Sequence, residues 1–478
     1  MTAARKDIRS INGQPGPWLS RFRPLASALL ALFCVLGDCN AQVVQTVTSF
    51  SGQGEAAHPM EGVLALGRDG RLFGTTFGAS GSNGGIFRLS TGRMLTFPHL
   101  FDSTTGSGPT GGVTLATDGN YYGTTTYGGS ANCGVLYRLT PAGQYTLLHE
   151  FLGASDGANP VVAPIQATDG NLYGVTTGYP TTSATLYKYT ASGSFTTIYT
   201  FDTTHDGRYA LYLVQAANGN LYGTATQGGT AGCGTIFEFS TAGTVLFTYS
   251  FPQIGLKNPQ GCGPTMILQA TDSNFYGTTL NGGNGLGTVF KLDSQGNVTT
   301  LYNFPLQAQF GGGPFGIVEA TDGNFYGAGG GGGGTFGDGT LFRVTPAGAY
   351  TLLANLSGNN GNSPLSPPIQ HVNGLIYGTT ELGGTFGAGN VYSLNVGLAP
   401  FITFVQPAGK VGLKAQILGQ GLTGATSVAF NGVKATSFAV VSNTYMTATV
   451  PAGATSGPVV VTTPTGTFTS NRSFLISK

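Results

Sequence analysis

Asn171-Leu172-Tyr173-Gly174 returns along the chain at a near-constant interval, and that interval decides the fold. Its counterparts end in Gly74, Gly123, Gly223, Gly277, Gly327 and Gly378, so the seven glycines stand 49, 51, 49, 54, 50 and 51 residues apart. A fixed period in this range marks a solenoid, propeller or other array in which each copy is one supersecondary unit. Around Gly123 the unit reads as four strand-like runs. Residues 111–117 lead into Thr117-Asp118-Gly119-Asn120, and Tyr121-Tyr122-Gly123-Thr124-Thr125 follows. Asp-Gly between apolar runs signals a tight hairpin, and a type I′ turn with positive φ at both central residues is expected. The turn recurs as Asp69-Gly70, Asp169-Gly170, Asn218-Gly219, Asp322-Gly323 and Asn373-Gly374, with Asp272-Ser273 as the variant. A glycine-rich loop leads to the third run, 134–139, and Pro141-Ala142-Gly143 turns the chain into the fourth, 145–151. Both alternate with period two and are rich in β-branched and aromatic residues, as half-buried antiparallel strands are.

The ends of the array carry the topology. The seventh copy stops after its third run, 389–395, while an orphan run of the fourth type, 43–50, precedes the first copy. The strands balance when the N-terminal run completes the last copy. An open solenoid has no need of that arrangement, whereas a ring does, because closure removes exposed strand edges. The expectation is an all-β chain in which 42–397 form a seven-bladed β-propeller closed by the N-terminal strand.

Composition agrees with a folded array of many turns. Of 478 residues 80 are Gly and only 8% are charged, but 21 Tyr and 30 Phe recur in register, which disordered chains lack. Arg21-Phe22-Arg23, the apolar run 25–36 and Cys39-Asn40-Ala41 have the parts of a secretory signal, with cleavage expected between Ala41 and Gln42. The apolar run is too short to span a bilayer, so no membrane span is expected after cleavage. Residues 1–41 hold five basic and two acidic side chains; the remainder, with 15 basic and 17 acidic, has a net charge of −2. No basic stripe is present to neutralise phosphates, which argues against nucleic acid as a partner.

The pattern Ala167-Thr168-Asp169-Gly170-Asn171-Leu172-Tyr173-Gly174, the Gly-Gly loops, Gly287-Thr288-Val289-Phe290-Lys291-Leu292 and Leu301-Tyr302-Asn303-Phe304 resemble the bacterial GloVer tandem repeat of choice-of-anchor surface proteins. The resemblance covers all seven copies. It implies export and often a C-terminal anchor, and it brings no activity or catalytic residues. Covalent anchoring is not expected here, since Phe474-Leu475-Ile476-Ser477-Lys478 is neither a sorting motif nor an apolar tail.

From Leu398-Ala399-Pro400 onward the pattern changes to short alternating strands that read as an immunoglobulin-like sandwich over 398–478. Gly419-Gln420-Gly421-Leu422, Val428-Ala429-Phe430-Asn431-Gly432-Val433 and Val450-Pro451-Ala452-Gly453 resemble an IPT/TIG domain. The junction 395–400 is short, and 399–478 is expected to fold alone.

With Cys34 and Cys39 in the signal, Cys133, Cys233 and Cys262 remain. An oxidising compartment permits a disulfide, and Cys233–Cys262 is the pairing that joins adjacent loops; three free thiols is the alternative. The turn aspartates are spread one per copy, too far apart for a calcium shell, and read as Asx turns. His99 and His149 align with Tyr199, Tyr249 and Tyr302 and read as aromatic-sized packing residues. The run 329–334 lacks the Lys-Ser/Thr of a phosphate loop. No Gly-x-Ser-x-Gly elbow, metal-spaced His cluster or paired acid/base motif is present, so no catalytic, metal or cofactor site is expected. The only Trp, Trp18, lies in the signal, unlike Trp-dependent sialidase, kelch and quinoprotein blades.

The Asp-Gly and Pro-Ala-Gly turns share one rim of the array. The opposite rim carries long irregular connections: 55–59, 102–109, 156–160, 202–208, 252–264 and 305–314. Variable loops on a rigid scaffold are where binding resides. The candidate ligand-binding rim is therefore His58, Asp156, His205, Asp206 and Arg208, against the alternative of solvated loop charge. The expected function is a secreted or surface-exposed, non-enzymatic binding or adhesion protein, monomeric, with a glycan or a protein as ligand. The alternatives are an exported propeller lyase or glycosidase and a structural envelope component.

Overall fold

In the computed structural model, the described residues are 44–54, 56–153, 156–178, 183–253, 259–306, 312–331 and 337–477. The expected signal and its Ala41–Gln42 junction lie outside them, as do Glu55 and the second half of the 329–334 run. Among the described residues there is no helix, and hence none long and apolar enough to cross a membrane.

Seven four-stranded antiparallel sheets follow one another, the first six ordered as their strands occur in sequence. Sheets 1 to 6 occupy 65–100, 114–150, 165–200, 208–250, 262–303 and 312–355. Sheet 7 takes three strands from 369–394 and its fourth from the N-terminus, where Val44–Ser49 pairs antiparallel with Asn390–Leu394.

The recurring glycine has one physical reason throughout. Gly174 is paired directly with Tyr187 on the third strand, and a β-carbon there would overlap the Tyr187 ring. Gly74 and Phe87, Gly123 and Tyr137, Gly223 and Phe237, Gly277 and Phe290, Gly327 and Phe342, and Gly378 and Tyr392 repeat the pair. The missing β-carbon lets an aromatic ring lie across the strand, at the centre of each sheet.

A second aromatic set joins consecutive sheets. Phe101 meets Tyr137 at 5.2 Å between ring centroids, Phe151 meets Tyr187 at 5.4 Å, and Phe201 meets Phe237 at 5.0 Å. Phe50, just after the N-terminal strand, meets Phe87 of sheet 1 at 5.2 Å and fills the same place between sheets 7 and 1. Buried apolar clusters accordingly bridge every consecutive pair of sheets, sheet 7 with sheet 1 included.

The hairpin turns differ from the type I′ expectation. Gly119 N–H donates to Ala116 O at 2.9 Å, and Gly119 has φ +89°, while Asp118 is not in the left-handed region. The loop is thus three residues, a type I turn closed by a left-handed glycine. The aspartate prefers this form because its side chain is engaged: Asp118 accepts the Asn120 N–H at 3.0 Å and the Tyr122 hydroxyl at 2.9 Å.

Residues 403–476 form two further four-stranded sheets around a core of their own, with Ile417, Met446 and Ala448 from one facing Val428, Phe430, Val459 and Val461 from the other. That core is separate, but its surroundings are not: Val43–Lys478 is one compact unit.

Candidate functional site

The five rim residues fall into two kinds. Asp156 accepts the Leu152 N–H at 3.0 Å through Oδ1, and its Oδ2 lies at hydrogen-bond distance, 3.0 Å, from His149 Nε2. Asp206 does the same one copy later, taking the Asp202 N–H at 3.0 Å and the Tyr199 hydroxyl. Each lies five residues past a plug phenylalanine, Phe151 or Phe201, and each closes its own loop onto the fourth strand. Asp206 is 6% exposed. His58 also ties structure: its N–H donates to Ala388 O at 3.0 Å and its carbonyl accepts from Phe77 N–H at 2.9 Å, spanning sheets 7 and 1. Its buried Nδ1 has no partner among the described residues.

His205 and Arg208 are the exposed members. His205 Nδ1 lies 2.7 Å from Asp202 Oδ2, and the Arg208 guanidinium donates to Gln227 Oε1 at 3.1 Å. Hydrogen bonds from the Thr204 hydroxyl and from His205 hold the Asp202 carboxyl far below the usual carboxylate range. His205, Asp206 and Arg208 share one loop. Among the described residues, no hydrogen bond or ion pair joins those three side chains to Asp156 or His58. Tyr127, Leu152, Leu306 and Phe386 add exposed apolar side chains to this rim.

His99 and His149 are packed rings. His149 stacks on Phe195 of the next sheet at 3.6 Å and His99 on Tyr145 at 4.2 Å, as Tyr302 stacks on Tyr350 at 4.3 Å. Burial lowers both imidazole pKa values, and for His149 it outweighs the opposing effect of Asp156. Cys233 and Cys262 are joined by a disulfide, with Cα atoms 4.7 Å apart, and Cys133 is free.

Two polar residues at or just before the first strands of their sheets escaped the sequence reading. Counting back from the recurring glycine, Glu61 corresponds to Thr110, Val161, Ala210, Pro264, Pro314 and Leu365, and is the one charged residue of the set. Tyr212 corresponds to Val63, Gly112, Ala163, Met266, Gly316 and Pro367, and is the one polar side chain. These strands converge: a β-carbon on Gly316 of sheet 6 would meet Met266 Sδ of sheet 5 and Pro367 of sheet 7 at 2.6 Å. Glu61 and Tyr212 belong to sheets 1 and 4, three copies apart, yet the Glu61 charge acts on the Tyr212 hydroxyl. Burial pushes the Glu61 carboxyl up, and burial followed by Glu61 pushes the Tyr212 phenol up. The Tyr212 hydroxyl is buried with no hydrogen-bond partner among the described residues. A buried polar group left unpaired costs stability and calls for a reason. Comparing aligned positions across the copies, rather than reading each copy's motif, would have exposed both residues.

Comparison with known proteins supports the repeat and little more. No curated protein sequence matches the chain. The extracellular domain of a Bacteroides thetaiotaomicron protein described as a hybrid two-component system is 13% identical, with a TM-score of 0.50 over 88% of this chain. The match takes in 52% of that domain, so this chain spans about half of its length. Kuenenia stuttgartiensis hydrazine synthase is 13% identical with a TM-score of 0.49, over 71% of this chain and 97% of that one. The periplasmic gluconolactonase of Pseudomonas aeruginosa is 17% identical with a TM-score of 0.45, over 69% of this chain and 96% of that one. At these identities the first likeness is one of fold alone. The Gloeobacter/Verrucomicrobia repeat model matches residues 37–212 and 180–392, which is most of the chain. By that match and by its seven glycine-centred sheets, the chain belongs to the Gloeobacter/Verrucomicrobia repeat family.

Proposed function

We propose that this is an exported, non-enzymatic binding protein, a monomer that takes a glycan or protein ligand on the irregular rim of a closed seven-bladed β-propeller. In this reading the N-terminal strand is the outermost strand of the seventh blade, and 398–478 is an immunoglobulin-like domain of IPT/TIG type. The unbroken series of inter-sheet clusters, including sheet 7 with sheet 1, supports closure. The Cys233–Cys262 disulfide supports export.

The observation that carries the reading is the buried Tyr212 hydroxyl, which has no hydrogen-bond partner among the described residues and stands where no other copy has a polar side chain, with the Glu61 charge acting on it. A buried phenol without a partner among the described residues, with a carboxyl acting on it, suits the hydroxyl or ammonium groups of a ligand projecting inward from the rim. His205, Arg208, Tyr127 and Phe386 supply polar and aromatic contacts around it.

A glycan and protein array probed with the purified mature protein tests this. Saturable binding that weakens at least tenfold in Glu61→Gln, Tyr212→Phe or His205→Ala/Arg208→Ala is expected. Reproducible turnover in a polysaccharide and glycoside screen, lost in the His205→Ala/Arg208→Ala variant, would make the protein an enzyme. Absence of any saturable ligand would leave a structural envelope component.

A further inference from the structure

Consecutive sheets are linked on the turn side by a repeated side-chain bond. Thr117 N–H donates to Gln166 Oε1 of the next copy at 2.8 Å, Thr168 N–H to Gln215 Oε1 at 2.8 Å, and Ala217 N–H to Gln269 Oε1 at 2.7 Å. Thr271 N–H donates to Glu319 Oε2 at 2.9 Å and Thr321 N–H to Gln370 Oε1 at 2.9 Å. The series spans copies 2 to 7 and then stops. At the two remaining junctions the residues in the glutamine position are Leu66 and Leu115, which have no side-chain acceptor.

Two departures from the repeat on this side stand at those junctions. Arg68 stands where other copies have Thr117, Thr168, Ala217, Thr271, Thr321 and Val372, and His371 stands where they have glycine or alanine. The buried His371 of copy 7 takes the Asn373 N–H on Nδ1 at 3.2 Å, and the Gly70 backbone of copy 1 acts on its imidazole, opposing the lowering by burial. The Arg68 guanidinium donates to Thr117 O at 2.7 Å, linking copy 1 to copy 2.

The C-terminal residues engage the same groups. Gln416 Oε1 accepts from Arg68 at 2.6 Å, and Gln416 Nε2 donates to Thr117 O at 2.7 Å. The Thr444 hydroxyl donates to Arg68 O at 2.8 Å, and Arg68 lies 4.8 Å from the centre of the Tyr445 ring. Phe401 N–H donates to Val372 O at 3.1 Å, and Gln406 Nε2 to Ala167 O at 2.8 Å. Glu319, the one acid in the glutamine series, faces the charge of Arg472.

We infer that 398–477 act as a fixed clamp across the two junctions that lack the glutamine link, with Gln416 and Thr444 supplying through Arg68 the bonds that residues 66 and 115 do not. The first and last copies meet only after the whole array has formed, so their junction is the one no local sequence contact helps to close. Bonds from a following segment, added on the turn side, hold it shut. This role is independent of what the irregular rim binds, and it leaves that rim as the free face.

Hydrogen exchange on the full chain tests the clamp. In Gln416→Ala/Thr444→Ala, amides of the turns at 67–74, 116–123 and 371–378 should lose protection at least tenfold. The turns at 217–223 and 271–277, which keep their own links, should not change. Adding Arg68→Thr and Leu115→Gln, which installs the glutamine link in copy 2, should restore protection at 67–74. Unchanged exchange, a loss spread evenly over all seven turns, or failure of Leu115→Gln to restore protection would each overturn the proposal. Should the double variant fail to fold, Thr444→Val, which removes one hydroxyl and keeps the shape, must show the same local pattern at reduced size, and uniform exchange there counts equally against it.

Discussion

Gly174 and Tyr187 are cross-strand partners, and the tyrosine ring occupies the volume that a β-carbon at residue 174 would need. Neither strand can give way, because both neighbours in the sheet are paired on their other sides. Gly174→Ala should therefore destabilise the protein by about 1–3 kcal/mol, the cost of overpacking a full core. Thermal unfolding measures it, and an unchanged midpoint would show that the ring moves freely.

The Tyr187, Tyr137 and Tyr392 hydroxyls are buried with no partner among the described residues, and the other four copies have phenylalanine in their place. Tyr187→Phe should leave stability unchanged or raise it by about 1 kcal/mol, since removing an unsatisfied buried polar group relieves its desolvation. A clear loss in chemical denaturation would mean that the hydroxyl is satisfied in solution.

Burial holds His99, His149 and His371 below the ordinary imidazole value of 6.5. The unfolded chain then binds these protons more readily than the folded one. Stability should be complete above about pH 6.5 and should fall as pH drops from there through the folded values. The carboxylates of Asp118 and Asp169, held low in the fold, add further loss only below their ordinary 3.8. His149→Tyr reproduces the Tyr199–Asp206 arrangement of the next copy and should flatten the decline between pH 6.5 and 5. An identical slope in the variant, measured by unfolding midpoints across that range, would refute the assignment.

Val44–Ser49 completes sheet 7, and Phe50 plugs its junction with sheet 1. Phe50→Ala should cost about 3–5 kcal/mol, as for other buried phenylalanines. Deleting 43–50 should abolish soluble expression or sharply lower the unfolding midpoint, although termini are usually dispensable. A truncated protein as stable as its parent would exclude the closed ring.

The Cys233–Cys262 bond closes a segment with a sequence separation of 29. Replacing both cysteines with serine should reduce stability on the order of 3 kcal/mol by freeing the unfolded chain. Reductant should act on the parent in the same direction and have no effect on the variant; sensitivity of the variant to reductant would point to Cys133 chemistry instead.

The sequence by itself determined the period, the four strands of each copy and the pairing of the N-terminal strand with the last sheet. The first two rest on neighbours within one copy, Gly174 on Tyr187 and Asp118 on Asn120 and Tyr122, and the third follows from counting strand types along the chain. Even the loop aspartates were within reach, since Asp156 and Asp206 lie at the same distance past Phe151 and Phe201. What tertiary structure alone decided joins residues that no local pattern relates. Glu61 and Tyr212 belong to copies three apart, yet the charge of one acts on the hydroxyl of the other. Gln416 finds Arg68 across 348 positions because it lies outside the C-terminal core, between the core residues Ala415 and Ile417, and copies 1 and 2 lack a glutamine at the linking position. Sequence separation hides such contacts, whereas a repeat, which renews the same short-range contacts in every copy, displays its own.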